Sequence, residues 1–206
     1  MGLRQQIAHT RDTPWKARNE LRRYWSLPWA RLLFWREGIA WGAGWQLYGL
    51  PIIQRHRAGS IRFGDRLELR STVRSNPLAP NHPVLLNVRQ PGALITVGTD
   101  FGMTGGTLCA DVAIRIGDRV TVGANCTIID TDFHPLDPAA RQQNPTAGAS
   151  APVHIEDDVF IGMACLILKG SHIGAGSVIG AGSVISGAIP AGVIAAGSPA
   201  RVIRRL

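Results

Sequence analysis

Cysteine is scarce in this chain, three residues in 206, and positions 109, 126 and 165 make no CxxC spacing. An odd, scattered set argues against a disulfide framework and a zinc knuckle, and points to reduced thiols in a cytoplasmic compartment. The N-terminus lacks the short basic, apolar and small-residue order of a secretory leader, so none is expected. Long apolar runs are missing as well. The longest uncharged stretch there, Gly38 to Gln54, is glycine-rich and shorter than the roughly 20 apolar residues a membrane span needs. Acids are outnumbered 14 to 22, but the surplus sits at the ends. Residues 1–36 hold eight Lys or Arg against two acids, the last six residues hold three Arg, and the body between holds eleven against twelve. A near-neutral body is not a nucleic-acid surface. What remains is the composition of an ordinary folded domain, with 45% hydrophobic residues.

What is present is a repeat. From residue 155 the chain reads IEDDVF, IGMACL, ILKGSH, IGAGSV, IGAGSV, ISGAIP, which puts Ile155, Ile161, Ile167, Ile173, Ile179 and Ile185 in one unbroken phase of six. The phase recurs at Ile116, Val122 and Ile128, and in shorter blocks at Ile95, Phe101 and Thr107 and at Ile61, Leu67 and Val73. Changes of phase between blocks mark inserted loops. A six-residue period builds a parallel β-helix in which each hexad forms one flat face and three hexads, about 18 residues, form one coil. The first residue of each hexad is predicted to face inward. A small residue four places later, at Val120, Cys126, Val159, Cys165, Ser171, Ser177 and Ser183, packs beside it. Cys126 and Cys165 are therefore expected to be small core residues. The expected architecture is all-β, with a helical N-terminal extension over residues 1–55, a β-helix over 56–206 and one extruded loop over 131–153.

Ahead of the repeat, Thr13 followed by Pro14 predicts a helix start with a side-chain cap. Pro28 and Gly38 predict a division into two short helices near 14–25 and 28–37. All six Trp lie in this part of the chain, at 15, 25, 29, 35, 41 and 45, among the arginines. Such a segment either lies on a membrane surface or a lipid-linked acceptor, or docks on the coil or a neighbouring subunit. Docking is the more ordinary fate, and peripheral contact of residues 1–50 with the inner membrane surface stays open.

After Ile128 the phase fails until Ile155, and the intervening TDFHPLDPAARQQNPTAGASAP has four prolines and no apolar period. It must leave the wall, and loops on a rigid scaffold are where function concentrates. His134 sits near its root, followed by Pro135. The segments DTDFHPLDPAAR, VHIEDDVFIGMACLILKGSHIGAGSVIGAGSVI and IPAGVIAAGSPARVIRRL resemble the galactoside and maltose O-acetyltransferase family and its relatives that acetylate surface polysaccharides. The similarity runs from about residue 95 to the end of the chain, and the first 55 residues lie outside it. Hexads are shared by many transferases, whereas the HP loop and the GSPARVIR ending are narrower. The resemblance implies a left-handed coil, although right-handed crossovers are the rule for parallel strands. It also implies acetyl-CoA as acyl donor, and a homotrimer with its active site between subunits.

Acetyl transfer to a sugar needs a hydroxyl made nucleophilic at a pH where alcohols stay protonated. An imidazole, with an ordinary pKa of about 6.5, can accept that proton as the oxygen attacks the thioester. The family uses one histidine in this way, and His134 matches it. Asp130 or Asp132 could orient the ring, although aspartate before a turn is more often a backbone cap. For the acceptor, Asp111 matches a family aspartate, while the family's asparagine falls at Met103 or Thr104, so Thr104 is the expected substitute. For coenzyme A the resemblance implies Phe160, Met163, Ala181, Ser186 and Gly187, the last standing where lysine is common. Arg201 and Arg204 match arginines near the adenosine 3′-phosphate, for which a guanidinium fork is suited. No metal is expected. His154 and His172 lie one coil apart and would stack on one edge, but the loop-borne pair used by zinc hydratases of this fold is missing. The expected acceptor is a sugar, a polysaccharide precursor or a lipid-linked saccharide. Acetylation of a xenobiotic such as an antibiotic is the alternative within the same chemistry. A non-catalytic scaffold would leave the HP loop unexplained.

Overall fold

A β-branched residue at every sixth position suits short strands with one buried face, and the computed structural model, which describes residues 12–206, is mostly β, with parallel sheets and two helices. The chain visits three sheets in rotation. Sheet A contains β1 (Gln46–Tyr48), β4 (Glu68–Arg70), β7 (Gly102–Thr104), β10 (Thr121–Val122), β13 (Phe160–Ile161), β16 (Val178–Ile179), β19 (Val193–Gly197) and an antiparallel β20 (Ala200–Arg205). Sheet B contains β2 (Ile52–Arg55), β5 (Leu85–Val88), β8 (Thr107–Ala110), β11 (Thr127–Ile129), β14 (Leu166–Ile167) and β17 (Val184–Ile185). Sheet C contains β3 (Ser60–Phe63), β6 (Leu94–Val97), β9 (Ala113–Ile116), β12 (Val153–Ile155), β15 (His172–Ile173) and β18 (Ala188–Ile189). Identical positions stack one turn of the chain apart, as Ile155 on Ile173, Ile161 on Ile179 and Ile167 on Ile185. All six phased isoleucines are buried, each worth about 1.5–3 kcal/mol of removed apolar surface.

Two of the phased positions fall elsewhere. Val73 is exposed, because residues 71–84 form an insertion between β4 and β5 that includes a 3-10 turn at Val73–Ser75. Thr107 is only half-buried and Leu108 takes the core position. Gly105 and Gly106 both have positive φ, and a Cβ on Gly106 would sit 2.2 Å from the Cys126 carbonyl oxygen. This tight glycine corner delays the inward phase by one residue. The small partners behave as expected: Val120, Cys126, Val159, Cys165, Ser171, Ser177 and Ser183 are all buried.

The three thiols are free and buried. Burial pushes Cys109 up to about 11, and the adjacent Cys165 thiol together with burial pushes Cys126 up. The Cys126 thiol in turn lowers Cys165 to about 7, so burial and not the pKa is what protects that thiol. With all three closed off from solvent, iodoacetamide is expected to label none of them at an appreciable rate in the native protein and all three after unfolding in urea. Rapid native labelling, read by intact mass, would contradict this packing.

The N-terminal segment differs from the expected pair of helices. One helix, α1 (Pro14–Arg36), runs through Pro28, and the Thr13 side chain makes no capping hydrogen bond. Proline removes the N–H that Tyr24 would have received. Both residues face solvent, where water can serve that carbonyl, while Ala30 and Phe34 beyond the proline are fully buried. The Phe34 ring meets Trp45 at 5.2 Å, Trp41 at 5.7 Å and Phe63 at 6.4 Å, edge to face in each case. The Tyr48 hydroxyl donates to Glu20 at 2.5 Å, and burial with that carboxylate pushes Tyr48 up to about 12. The helix thus docks on the first rung, which among the described residues has no neighbouring rung on that side. That rung begins with β1 and β2, paired in register with β4 and β5, so residues 46–55 belong to the sheets and not to the helical extension. Among the described residues no helix is long and apolar enough to cross a membrane.

Candidate active site

The extruded loop leaves β11 of sheet B and returns to β12 of sheet C. Its root is clasped. Thr131 bridges Ser150, Asp132 N–H donates to the Ala149 carbonyl at 2.9 Å, and Ala151 N–H donates to the Asp130 carbonyl at 2.9 Å. Its outer part carries a short helix, α2 (Pro138–Gln143), capped by Asp137, whose carboxylate accepts from Ala140 N–H at 2.8 Å. Val153 is already core, so the wall resumes there.

Phe133 and His134 form a sharp turn within this frame. Phe133 has φ of 61°, its N–H donates to Thr131 Oγ1 at 3.2 Å, and His134 N–H donates to the Asp132 carbonyl at 2.7 Å. Gly148 backs the turn so closely that a Cβ there would lie 2.6 Å from His134 N. The imidazole is held by Pro145, whose carbonyl oxygen lies 2.5 Å from Nδ1. A carbonyl can only accept, so Nδ1 carries the proton and Nε2 is left with its lone pair. His134 itself is exposed.

Neither aspartate considered for orienting the ring does so. Asp130 is completely buried, and its carboxylate accepts from the backbone N–H groups of Asp111, Val112 and Ala113 at 2.7, 2.8 and 2.7 Å. Burial pushes its pKa up while those three donors pull it down. Its task is to shape the turn that presents Asp111. Asp132 instead lies 3.3 Å from Lys169 Nζ on the next rung. Asp111 faces Arg89, Nε to Oδ1 3.5 Å, and the Arg89 guanidinium lies over the Phe133 ring at 4.7 Å. Arg89 Nη1 and Asp111 Oδ1 are both buried without a hydrogen-bond partner. Arg89 carries no motif in the sequence: it follows β5, which pairs with β8 one rung on, and only that stacking brings it beside Asp111 and the HP turn.

Thr104 is 8% exposed, and its hydroxyl accepts from Asn76 Nδ2 at 3.2 Å. An amide therefore does stand at this position, delivered by the insertion at 71–84 and invisible to any count of residues along the repeat. The remaining expected residues fall into two groups. Asp111, His134, Ser186 and Gly187 occupy connections from sheet B to sheet C. Thr104, Met163 and Ala181 occupy connections from sheet A to sheet B or the strand end beside them, while Phe160, Arg201 and Arg204 are on sheet A. Phe160, Val178, Ile194 and Arg204 are successive register partners. A Cβ on Gly187 would meet nothing within 4 Å, so the position is open. The C-terminal arginines are on β20, not on a loose tail. His154 and His172 stack at 5.1 Å with an interplanar angle of 7°, and His172 Nε2 meets Glu156 at 2.7 Å. Among the described residues no three His, Cys, Asp or Glu side chains gather to hold a metal.

The repeat matches two family descriptions, "Bacterial transferase hexapeptide (six repeats)" over residues 152–187 and "Hexapeptide repeat of succinyl-transferase" over residues 113–129. The chain is 41% identical over 100 residues to a galactoside O-acetyltransferase of Lactococcus lactis, covering 48% of this chain and 47% of the relative. It is 29% identical over 207 residues to a Mycobacterium tuberculosis protein named a probable acetyltransferase, covering 98% of this chain and 61% of that one. The chain thus spans about half to three fifths of the length of these relatives. Among solved structures it is similar to a Vibrio cholerae hexapeptide-repeat acetyltransferase complexed with acetyl coenzyme A, at 26% identity and a TM-score of 0.51, covering all of this chain and 92% of that one.

Proposed function

We propose that this chain, which carries the hexapeptide repeat of the bacterial transferases and is similar to galactoside O-acetyltransferases, transfers an acetyl group from acetyl-CoA to a hydroxyl of a sugar or saccharide precursor. The observation that carries the reading is the Pro145 carbonyl on His134 Nδ1, which leaves Nε2 free to act as general base from a tightly fixed turn. The acceptor oxygen attacks the thioester carbonyl as its proton passes to Nε2. The carbon–sulfur bond then breaks, and the same proton goes to the departing thiolate. Asp111 and the Asn76–Thr104 pair would orient the acceptor. The donor would lie along sheet A and its corner, past Phe160, Met163 and Ala181, with Ser186 and Gly187 of a neighbouring copy reaching it and Arg201 and Arg204 taking the adenosine 3′-phosphate. Neither arginine has an acidic partner among the described residues, which leaves both guanidinium groups available.

The rotation through three sheets supports a parallel β-helix of triangular section, and the left hand is taken from the transferase family that the repeat resembles. Its assembly is a homotrimer on this reading, because the two groups of site residues sit at opposite ends of sheet B. Three strand residues separate them by about 10 Å, and a neighbouring copy would bring one group to the other. Sedimentation of the active protein is expected to give a trimer, and an active monomer would refute the shared site. The reading places the protein in the cytoplasm. The exposed Trp25, Trp29 and Trp35 of α1, set among arginines, support peripheral contact with an anionic inner membrane surface. The reaction itself is tested by following coenzyme A release with a panel of mono- and oligosaccharides. Release that no acceptor stimulates would sink the O-acetyltransferase reading.

A further inference from the structure

Between α1 and the insertion at 71–84 lies a cavity of about 420 Å³, lined by Trp15, Arg18, Asn19, Arg22, Arg74, Asn76 and Pro77. Three arginines from two separate elements, all three exposed, line it, and no acidic residue does. Glu20, on the same helix, is held by Tyr48 and Arg23. None of Arg18, Arg22 and Arg74 forms a side-chain ion pair or hydrogen bond among the described residues. Water screens much of the repulsion among these exposed like charges, and an anion entering the cavity would relieve what remains. The frame is firm nevertheless: buried Asn19 donates from Nδ2 to the Arg74 carbonyl at 2.7 Å, tying helix to insertion. Asn76 lines the cavity on one side and donates to Thr104 on the other.

We infer that this cavity binds a phosphate ester carried by the acceptor saccharide. Guanidinium forks fit phosphate oxygens, and three of them suit a group bearing about −1.5 to −2 charges better than a single carboxylate. Coenzyme A phosphates are the other anions the proposed reaction would bring, but they belong elsewhere. Asn76 meets Thr104 on β7, and four strand spacings along sheet A, through β10, β13 and β16, separate β7 from β19. At about 4.8 Å per strand that is roughly 19 Å, with Arg201 and Arg204 one strand further. The phosphate is thus bound at the opposite end of sheet A from the donor arginines, beside the position expected to orient the acceptor. Only the identification of the ligand as acceptor rests on the acyl-transfer reading.

The test is calorimetric titration of the full chain with glucose 1-phosphate and with glucose, and co-sedimentation with phosphatidylcholine vesicles with and without a polyprenyl phosphate. Saturable binding of glucose 1-phosphate but not glucose would assign a soluble sugar phosphate. Retention only on the polyprenyl phosphate vesicles would assign a lipid-linked one. In either case the Arg22→Gln/Arg74→Gln variant is expected to weaken binding about tenfold or more, whereas saturating coenzyme A leaves it unchanged. Absence of both kinds of binding, binding indifferent to the arginines, or displacement by coenzyme A would each overturn the inference. Because none of these readouts needs turnover, a failure of the acetyltransferase reading would show separately, in coenzyme A release.

Discussion

His134→Ala is expected to lower acetyl transfer about 10²–10⁴-fold, the contribution of a positioned general base. That corresponds to about 2.7–5.5 kcal/mol of transition-state stabilisation. The loss should appear in turnover and not in folding, because the side chain is exposed and exposed substitutions usually move stability by no more than about 0.5 kcal/mol. His134→Asn sharpens the test. Its amide can still donate to the Pro145 carbonyl, which now holds Nδ1 at 2.5 Å, but it has no basic nitrogen. The asparagine variant should therefore be as slow as the alanine variant. Turnover near wild type in His134→Asn would mean that the residue only holds the turn.

Phe34→Ala should be the most damaging single change to stability, costing about 3–5 kcal/mol, as for other fully buried aromatics. Phe34 is completely buried and makes edge-to-face contacts with Trp41, Trp45 and Phe63. It is the main apolar tie between α1 and the first rung. In a molecule where each rung touches only its neighbours, the damage should stay at this end. Thermal unfolding followed by tryptophan fluorescence should move down by about 6–20 °C for a chain of this size, while the later rungs keep their circular dichroism. A shift below about 1 kcal/mol would show that α1 is held elsewhere, for instance by the Glu20–Tyr48–Arg23 network.

The period of six read along the chain translates directly into buried isoleucines, because strand side chains alternate locally and the repeat needs no distant information. It fails at Val73 and Thr107 for one reason. An insertion or a two-glycine corner changes the phase without leaving an apolar trace. Pro28 was expected to end a helix, but burial of Ala30 and Phe34 outweighs one missing hydrogen bond. For the site, the HP turn and its loop were legible because prolines and a lost period mark a departure from the wall.

The partners of that turn were not legible. Pro145 reaches His134 only because the loop folds back, with its root clasped at Thr131 and Ser150. Asp130, a candidate for holding the ring, is instead consumed by three backbone donors on the rung before it. Asn76 restores an amide beside Thr104, and Arg89 settles against Asp111 and Phe133. By itself the sequence determined the repeat, the core it buries and the place where the wall opens, since each depends on neighbouring residues and the pitch of one coil. The tertiary structure decided which tautomer His134 holds, where the arginines of α1 meet the insertion, and how the site divides between two corners. Those depend on loop closure and on register across rungs, and insertions of unequal length separate the contacting residues unpredictably along the chain.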